Sequence, residues 1–232
     1  MRLDKFLTEM GKCSRSEGGK LIRSGKVTVN GEIIKKPDCK INPLSDSVTL
    51  MGETLTYKKF TYIMLNKPDG YVSATDDEKE KTVLDLVNDE DRRKGLFPCG
   101  RLDKNTLGLV ILTNDGDGAH RLLSPKHHVE KVYKFEVDAP ISSEDVSRLE
   151  NGVDIGGYLT KPCKIKLYDN LSSGEITLTE GKYHQIKRMM EAIDNKITYL
   201  ERISFGSILL DESLKRGEWR YLTTAEEEIF KK

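Results

Sequence analysis

Nothing in this 232-residue chain approaches the ~20 consecutive apolar residues that a membrane-spanning helix requires. The opening residues Met1-Arg2-Leu3-Asp4-Lys5-Phe6 carry charge where a signal peptide would carry an apolar core. A cytoplasmic protein with no membrane partner is therefore expected. Cysteine is sparse and scattered (Cys13, Cys39, Cys99, Cys163), with no Cys-x-x-Cys pair, which argues against a structural zinc site or a disulfide framework. There is no P-loop, no Gly-x-Gly-x-x-Gly and no cluster of metal-ligand spacing, so neither a cofactor nor a metal is expected. Net charge is absent too, since 38 Lys/Arg balance 38 Asp/Glu, unlike a protein that coats nucleic acid with its whole surface.

What the chain does have is unevenly placed charge. Residues 1–40 hold ten Lys/Arg against five Asp/Glu, a local excess suited to phosphate, although a solvated helix face would carry the same residues. Leu3, Phe6, Leu7 and Met10 recur at helical spacing, and Ser14 and Ser16 offer N-caps for a second helix with Leu21 and Ile22 on its apolar side. Gly18-Gly19 weakens that helix by about 1 kcal/mol each relative to Ala, a cost that close packing on the first helix would explain. Residues 26–34 place two β-prone runs around Asn30-Gly31, a strong hairpin signal, and Val48-Thr49-Leu50 closes this small unit.

Tyr57-Lys58-Lys59-Phe60 reads as a polar linker, giving domains at 1–57 and 61–232. Beyond it, Tyr62-Ile63-Met64-Leu65-Asn66 has the makings of a buried strand ended by the turn Lys67-Pro68-Asp69-Gly70. Leu109-Val110-Ile111-Leu112-Thr113 is apolar enough for a central strand, while residues 132–137, 165–167 and 176–178 alternate. Helices are expected over 82–94, 144–151 and 183–194, and Thr224-Ala225-Glu226-Glu227 reads as a capping box opening a last one. Strands and helices mixed without a strict βαβ repeat predict an α+β fold around a largely antiparallel mixed sheet.

Three segments could carry chemistry. In Phe97-Pro98-Cys99-Gly100-Arg101-Leu102-Asp103-Lys104-Asn105-Thr106-Leu107-Gly108, an acid and bases sit in a turn-rich loop ahead of the strongest apolar strand. Local pattern alone would make Asp103 a turn or capping residue. In Ser124-Pro125-Lys126-His127-His128-Val129-Glu130-Lys131-Val132-Tyr133, a tyrosine starts a strand, normally a core position. In Glu180-Gly181-Lys182-Tyr183-His184-Gln185-Ile186-Lys187-Arg188-Met189-Met190, a glycine turn opens a helix with an apolar stripe of Ile186, Met189, Met190 and Ile193. On a helical wheel Lys187 lies ~110° from the stripe centre and Arg188 ~150° on the other side, so Lys187 can reach the edge of a buried site while Arg188 faces solvent or RNA.

The first quarter resembles the S4 RNA-binding domain, through Arg2-Leu3-Asp4-Lys5-Phe6-Leu7, Cys13-Ser14-Arg15-Ser16 and residues 22–32. That resemblance implies an S4-like α/β RNA-binding domain with Arg15, Lys20, Arg23 and Lys26 as RNA contacts. Nearly the whole chain resembles pseudouridine synthases of the RsuA branch. The similarity rests on Leu65-Asn66-Lys67-Pro68-Asp69-Gly70-Tyr71, the Gly-Arg-Leu-Asp loop, Lys131-Val132-Tyr133 and residues 181–190. Leu107 departs from the family, where a polar residue often stands.

Membership implies isomerisation of a uridine in ribosomal RNA. The N1–C1′ bond breaks, the base turns, and C5 is joined to C1′, with no redox change and no added atom. By the same resemblance Asp103 is the nucleophile, whether it attacks C1′ or acts first on the base. Lys187 is its basic partner, Tyr133 packs on the target base, Arg101 fills the space left by the flipped nucleotide, and Arg188 contacts RNA. Ser124-Pro125-Lys126-His127-His128 looks most like members acting on 16S rRNA at a uridine-516-type position. The partner would be rRNA, in an assembling small-subunit particle or alone, and the enzyme a monomer. Activity on 23S rRNA, a non-catalytic S4-domain assembly factor, and a hydrolase using Asp115 and Asp117 are the alternatives. Against the last, Asp115-Gly116-Asp117-Gly118 looks like a turn that caps the next helix.

Overall fold

In a computed structural model describing residues 1–92 and 94–231, the chain divides into two compact units. One comprises Met1–Thr61 with Leu84–Phe97, the other Tyr62–Val83 with Pro98–Lys232.

The first unit opens with α1 (Leu3–Glu9) and α2 (Arg15–Arg23). Ser14 caps α2 through a full capping box with Glu17, as the serine pattern anticipates. Close packing explains Gly18, where a Cβ would lie 3.2 Å from Cys13 Sγ and 3.8 Å from Leu7 Cβ; at Gly19 it would meet only the Arg23 side chain. The hairpin β1 (Val27–Val29) and β2 (Glu32–Ile33) turns at Asn30-Gly31, both at positive φ. With β3 (Val48–Leu50) and β4 (Glu53–Leu55) it forms a sheet in the order β2-β1-β3-β4. Leu3, Phe6, Leu7, Ile22, Val27 and Val48 fill the core beneath it. Tyr57 is no mere linker residue, because its ring stacks on Phe6 at 5.8 Å between centroids.

The single helix expected over 82–94 is two short pieces, a 3₁₀ turn Val83–Leu86 and α3 (Asp89–Arg92). The Asn88 side chain accepts from Asp91 N–H at 2.9 Å and restarts the helix there. Arg93, within that expected helix, lies outside the described residues.

The second unit is built, among the described residues, on a nine-stranded sheet. Its main path runs β13 (Trp219–Tyr221), β5 (Tyr62–Lys67), β7 (Leu107–Thr113), β11 (Ile197–Phe205), β8 (Lys131–Val137), β10 (Ser173–Leu178) and β9 (Lys164–Leu167). The strands β6 (Phe97–Cys99) and β12 (Ile208–Leu209) pair with β7 and β11. The β7–β11 pairing is parallel and the other pairings along this path are antiparallel, which is the largely antiparallel α+β arrangement read from the sequence. Every residue of β5 is buried, as the apolar run Tyr62–Leu65 predicts for a central strand, and the burial extends to Asn66 and Lys67 at its end. Gly108, at φ +94°, lets β7 come against β11; a Cβ there would sit 2.3 Å from the Arg202 carbonyl oxygen.

The helices are α4 (Gly116–Leu123), α5 (Ser143–Asn151), α6 (Gln185–Glu191) and α7 (Thr224–Glu227). Asp115 caps α4 by accepting from Gly118 N–H at 3.0 Å while taking the Tyr62 hydroxyl at 2.8 Å. It is a buried structural aspartate, as its turn context suggests. The last capping box closes one residue earlier than expected, between Thr223 and Glu226, because Thr223 is the extended residue and Thr224 is already helical. The helix expected over 183–194 is shorter, since His184 adopts a left-handed conformation that cannot belong to a right-handed helix.

Candidate active site

The loop ahead of β7 is held from several sides. Asp103 through Thr106 form a turn closed by Thr106 N–H to the Asp103 carbonyl at 3.0 Å. The Ser73 hydroxyl donates to the Leu102 carbonyl and accepts from the Leu102 N–H, each at 3.0 Å. Beneath the turn lies Lys67, with no exposed surface. Its Nζ donates to the carbonyls of Lys104 and Thr106, each at 2.8 Å, and of Pro68 at 3.1 Å. Burial pushes this ammonium down to about 8. The sequence places Lys67 at the start of the turn that ends the strand, whereas it is the last residue of β5 and the internal tie of the loop.

The opposite wall comes from the segment leading into α6. Buried Gln185 donates to Glu180 Oε1 at 2.7 Å and accepts from Lys182 N–H at 2.9 Å, fixing the turn. Ile186, Met189 and Met190 are core, as the helical stripe predicts. Lys187 then projects to the Asp103 loop, where its Nζ stands 2.9 Å from Asp103 Oδ2 and 2.6 Å from Asn105 Oδ1. His184 Nε2 is 3.6 Å from Asp103 Oδ1, and the His184 ring stacks on Tyr183 at 3.8 Å. The Asp103 side chain retains about a quarter of its exposure, enough to meet a ligand.

Arg101, Asp103, Tyr133 and Lys187 thus line one pocket of about 220 Å³. Tyr133 is buried in β8, cross-strand from Arg202 and Ile176. Arg188 is not brought there. It is half-buried against the 156 turn, its Nη2 lying where a Cβ on Gly156 would approach to 2.7 Å. Leu107 is half-buried at the head of β7 and does not line the pocket. Arg15, Lys20, Arg23 and Lys26 are exposed residues of the first unit; Arg15 Nε lies 3.5 Å from Asp4 Oδ2.

A carboxylate held by an ammonium in one pocket with a buried aromatic suits nucleophilic chemistry beside a planar ring. The profile of the RNA pseudouridylate synthase family matches residues 61–192, more than half of the chain. The chain belongs to that family. An S4 domain precedes the synthase domain, matched over residues 1–43. This pseudouridine synthase is 41% identical to the ribosomal small subunit pseudouridine synthase A of Salmonella typhimurium, covering 99% of this chain and 98% of the relative. It is 47% identical to an RNA pseudouridine synthase of Bacillus subtilis, YtzG, over 97% of this chain and 96% of that one. A pseudouridylate synthase of solved crystal structure superposes with a TM-score of 0.70 at 38% identity, covering 99% of both chains. The synthase is an isomerase of the RsuA type with an S4 domain, and RNA is its substrate.

Three side chains at the pocket escaped the sequence reading. Asn105 and His184 stand inside the quoted motifs, but only the fold brings them to Lys187 and Asp103. Thr106 lines the pocket, and its hydroxyl is buried with no hydrogen-bond partner among the described residues.

Lys67 yields a direct test. Lys67→Met keeps the bulk but strands three carbonyls under the Asp103 turn, so kcat is expected to fall by about tenfold or more with KM little changed. The sign of the pH effect follows from the depressed ammonium. Between pH 8 and 10.5 the unfolded lysine keeps a proton that the folded one has lost, so wild-type stability gains on the variant as pH rises through that window. Urea unfolding of both proteins across the range measures it, and parallel stability curves would contradict the buried ammonium.

Proposed function

We propose that this synthase converts one uridine of small-subunit (16S) ribosomal RNA, of the uridine-516 type, to pseudouridine. The observation that carries the catalytic half is the 2.9 Å pair of Asp103 and Lys187 in one pocket with Tyr133 and Arg101. Asp103 acts as the nucleophile, and Lys187 keeps a carboxylate charged in a cleft that loses water when RNA enters. Tyr133 packs on the uracil, and Arg101, exposed at the rim, takes the space vacated by the extruded base. The hydrogen leaving C5 is balanced by the one gained at N1, so no external reactant is consumed. The small-subunit target is supported by the Salmonella relative, a ribosomal small subunit pseudouridine synthase, and by the near full-length match to it.

In this reading the S4 unit positions the RNA through phosphates, with Arg15, Lys20, Arg23 and Lys26 as contacts and Arg188 as a further one on the synthase domain. The enzyme in this reading is a cytoplasmic monomer that acts on small-subunit rRNA, in an assembling particle or alone.

Base-resolved mapping of pseudouridine in rRNA, with and without this protein, is the decisive experiment. Loss of one small-subunit pseudouridine is the expected result. Loss from the large subunit instead would overturn the 16S assignment, and an unchanged map would overturn the rRNA assignment altogether. The S4 contacts have their own test in Arg23→Glu, which is expected to weaken RNA binding about tenfold and to lower the slope of log Kd against log salt. Arg15→Glu acts in the same direction, but it also places an acid beside Asp4, so Arg23 gives the cleaner reading. Unchanged affinity and slope in both variants would remove these residues from the interface.

A further inference from the structure

Beside the catalytic pocket lies a second cleft of about 530 Å³, which shares Arg101, Tyr133, Glu180 and Lys182 with it. Five cations line this cleft, Arg101, Lys131, Lys161, Lys182 and Arg202, against one carboxylate, Glu180. The carboxylate is already engaged. Glu180 takes the Tyr158 hydroxyl at 2.7 Å, the Lys161 N–H at 2.9 Å and the Gln185 amide at 2.7 Å.

Two of the cations are set deep. Arg202 is only 2% exposed; its Nε donates to the Leu109 carbonyl at 2.8 Å, while its buried Nη2 has no hydrogen-bond partner among the described residues. Lys131 is half-buried and donates to the Val129 carbonyl at 2.8 Å. Both cations stand over the Phe205 ring, at 5.3 and 5.4 Å from its centroid. Burial, with Arg202 adding to it, pushes the Lys131 ammonium down to about 8. Two neighbouring desolvated cations are costly unless an anion joins them. A π face offsets part of that cost but leaves the guanidinium's free N–H unsatisfied.

We infer that this cleft is a phosphate subsite, in which Arg202 and Lys131 hold the backbone phosphate of a nucleotide adjoining the target uridine, with Lys161 and the exposed Lys182 completing the charge. The shared lining carries the argument. Because the two clefts share Tyr133 and Lys182, RNA whose uracil occupies the first pocket has a path for its backbone into the second, and every linkage brings one anion. Arg202 offers a donor of the geometry that phosphate oxygens accept. Such a contact would hold the flipped nucleotide by its neighbour, without reading any base.

The inference rests on the synthase reading above but not on which rRNA is modified, because its test uses the RNA segment around whichever uridine the mapping identifies. Single uncharged methylphosphonate linkages are placed one at a time at the two positions on either side of that uridine. Kd and single-turnover conversion are then measured with wild-type protein, Lys131→Met and Lys182→Ala. One neutralised linkage is expected to weaken wild-type binding about tenfold, Lys131→Met by less than about twofold and Lys182→Ala by about threefold to fivefold, because Lys131 holds the phosphate and Lys182 adds to its charge. Should Lys131→Met fail to fold, as judged by its thermal midpoint, Lys182→Ala carries the same cycle from an exposed position. If no linkage costs wild type more than about twofold, or if the full penalty persists in the folded variants, the subsite does not exist. Loss of conversion on unmodified RNA by wild-type protein would instead count against the synthase reading, so the two failures are distinct.

Discussion

Asp103→Asn is expected to abolish pseudouridine formation while RNA binding stays within about twofold of wild type. The substitution is close to isosteric, and the amide oxygen can still accept from Lys187, which also remains tied to Asn105 2.6 Å away. The turn beneath it is held by the Thr106 N–H, the Ser73 hydroxyl and Lys67, none of which touches the Asp103 carboxylate. The variant should therefore fold and present the same surface to RNA. What it loses is the anionic oxygen able to form a bond, and an amide does not replace that. A fall of roughly ten-thousandfold or more in single-turnover rate is the scale at which enzymes lose a nucleophile. Conversion of a synthetic RNA hairpin, followed by mass spectrometry, measures it. A variant retaining more than about one hundredth of the wild-type rate would remove Asp103 from the nucleophile's role.

The same loop shows how far sequence could go. The apolar runs of β5 and β7 are readable because a strand buried on both faces needs no polar alternation, whereas β11, which joins β7 to β8, went unread. Asp103 and Lys187 were found through motif company. Their meeting across 84 residues is a tertiary fact, since the helical wheel gives Lys187 a direction but no partner. Lys67 was misread for a physical reason. A lysine before Pro-Asp-Gly has every local mark of an exposed turn, and only the arrival of the Lys104 and Thr106 carbonyls, nearly forty residues on, makes its burial tolerable. Arg202 gave no signal at all, because the strand that carries it, β11, went unread in the sequence and only the fold takes its guanidinium into a cation-lined cleft. The left-handed His184 likewise gave no signal in composition, yet it shortens α6 and turns an imidazole toward Asp103.

Replacing Lys187 tests the other half of the pair. Lys187→Met keeps an unbranched side chain but removes the cation at 2.9 Å from Asp103. The remaining neighbour, His184 at 3.6 Å, is a weaker partner because it is charged only when protonated. With the carboxylate a quarter exposed, solvent blunts the loss in the free enzyme, so stability should change little. The penalty grows when RNA closes the pocket and water leaves, because an unpaired carboxylate in a dry site is costly. The defect is therefore expected in kcat, by roughly a hundred- to a thousandfold, with KM changed by less than about threefold. Lys187→Arg should recover a large part of the rate, since a guanidinium supplies the charge and can reach both Asp103 and Asn105, whereas a purely structural role would be rescued no better by Arg than by Met. Equal rates for the Met and Arg variants, or a defect confined to KM, would show that Lys187 shapes the pocket wall and does not hold the charge on Asp103.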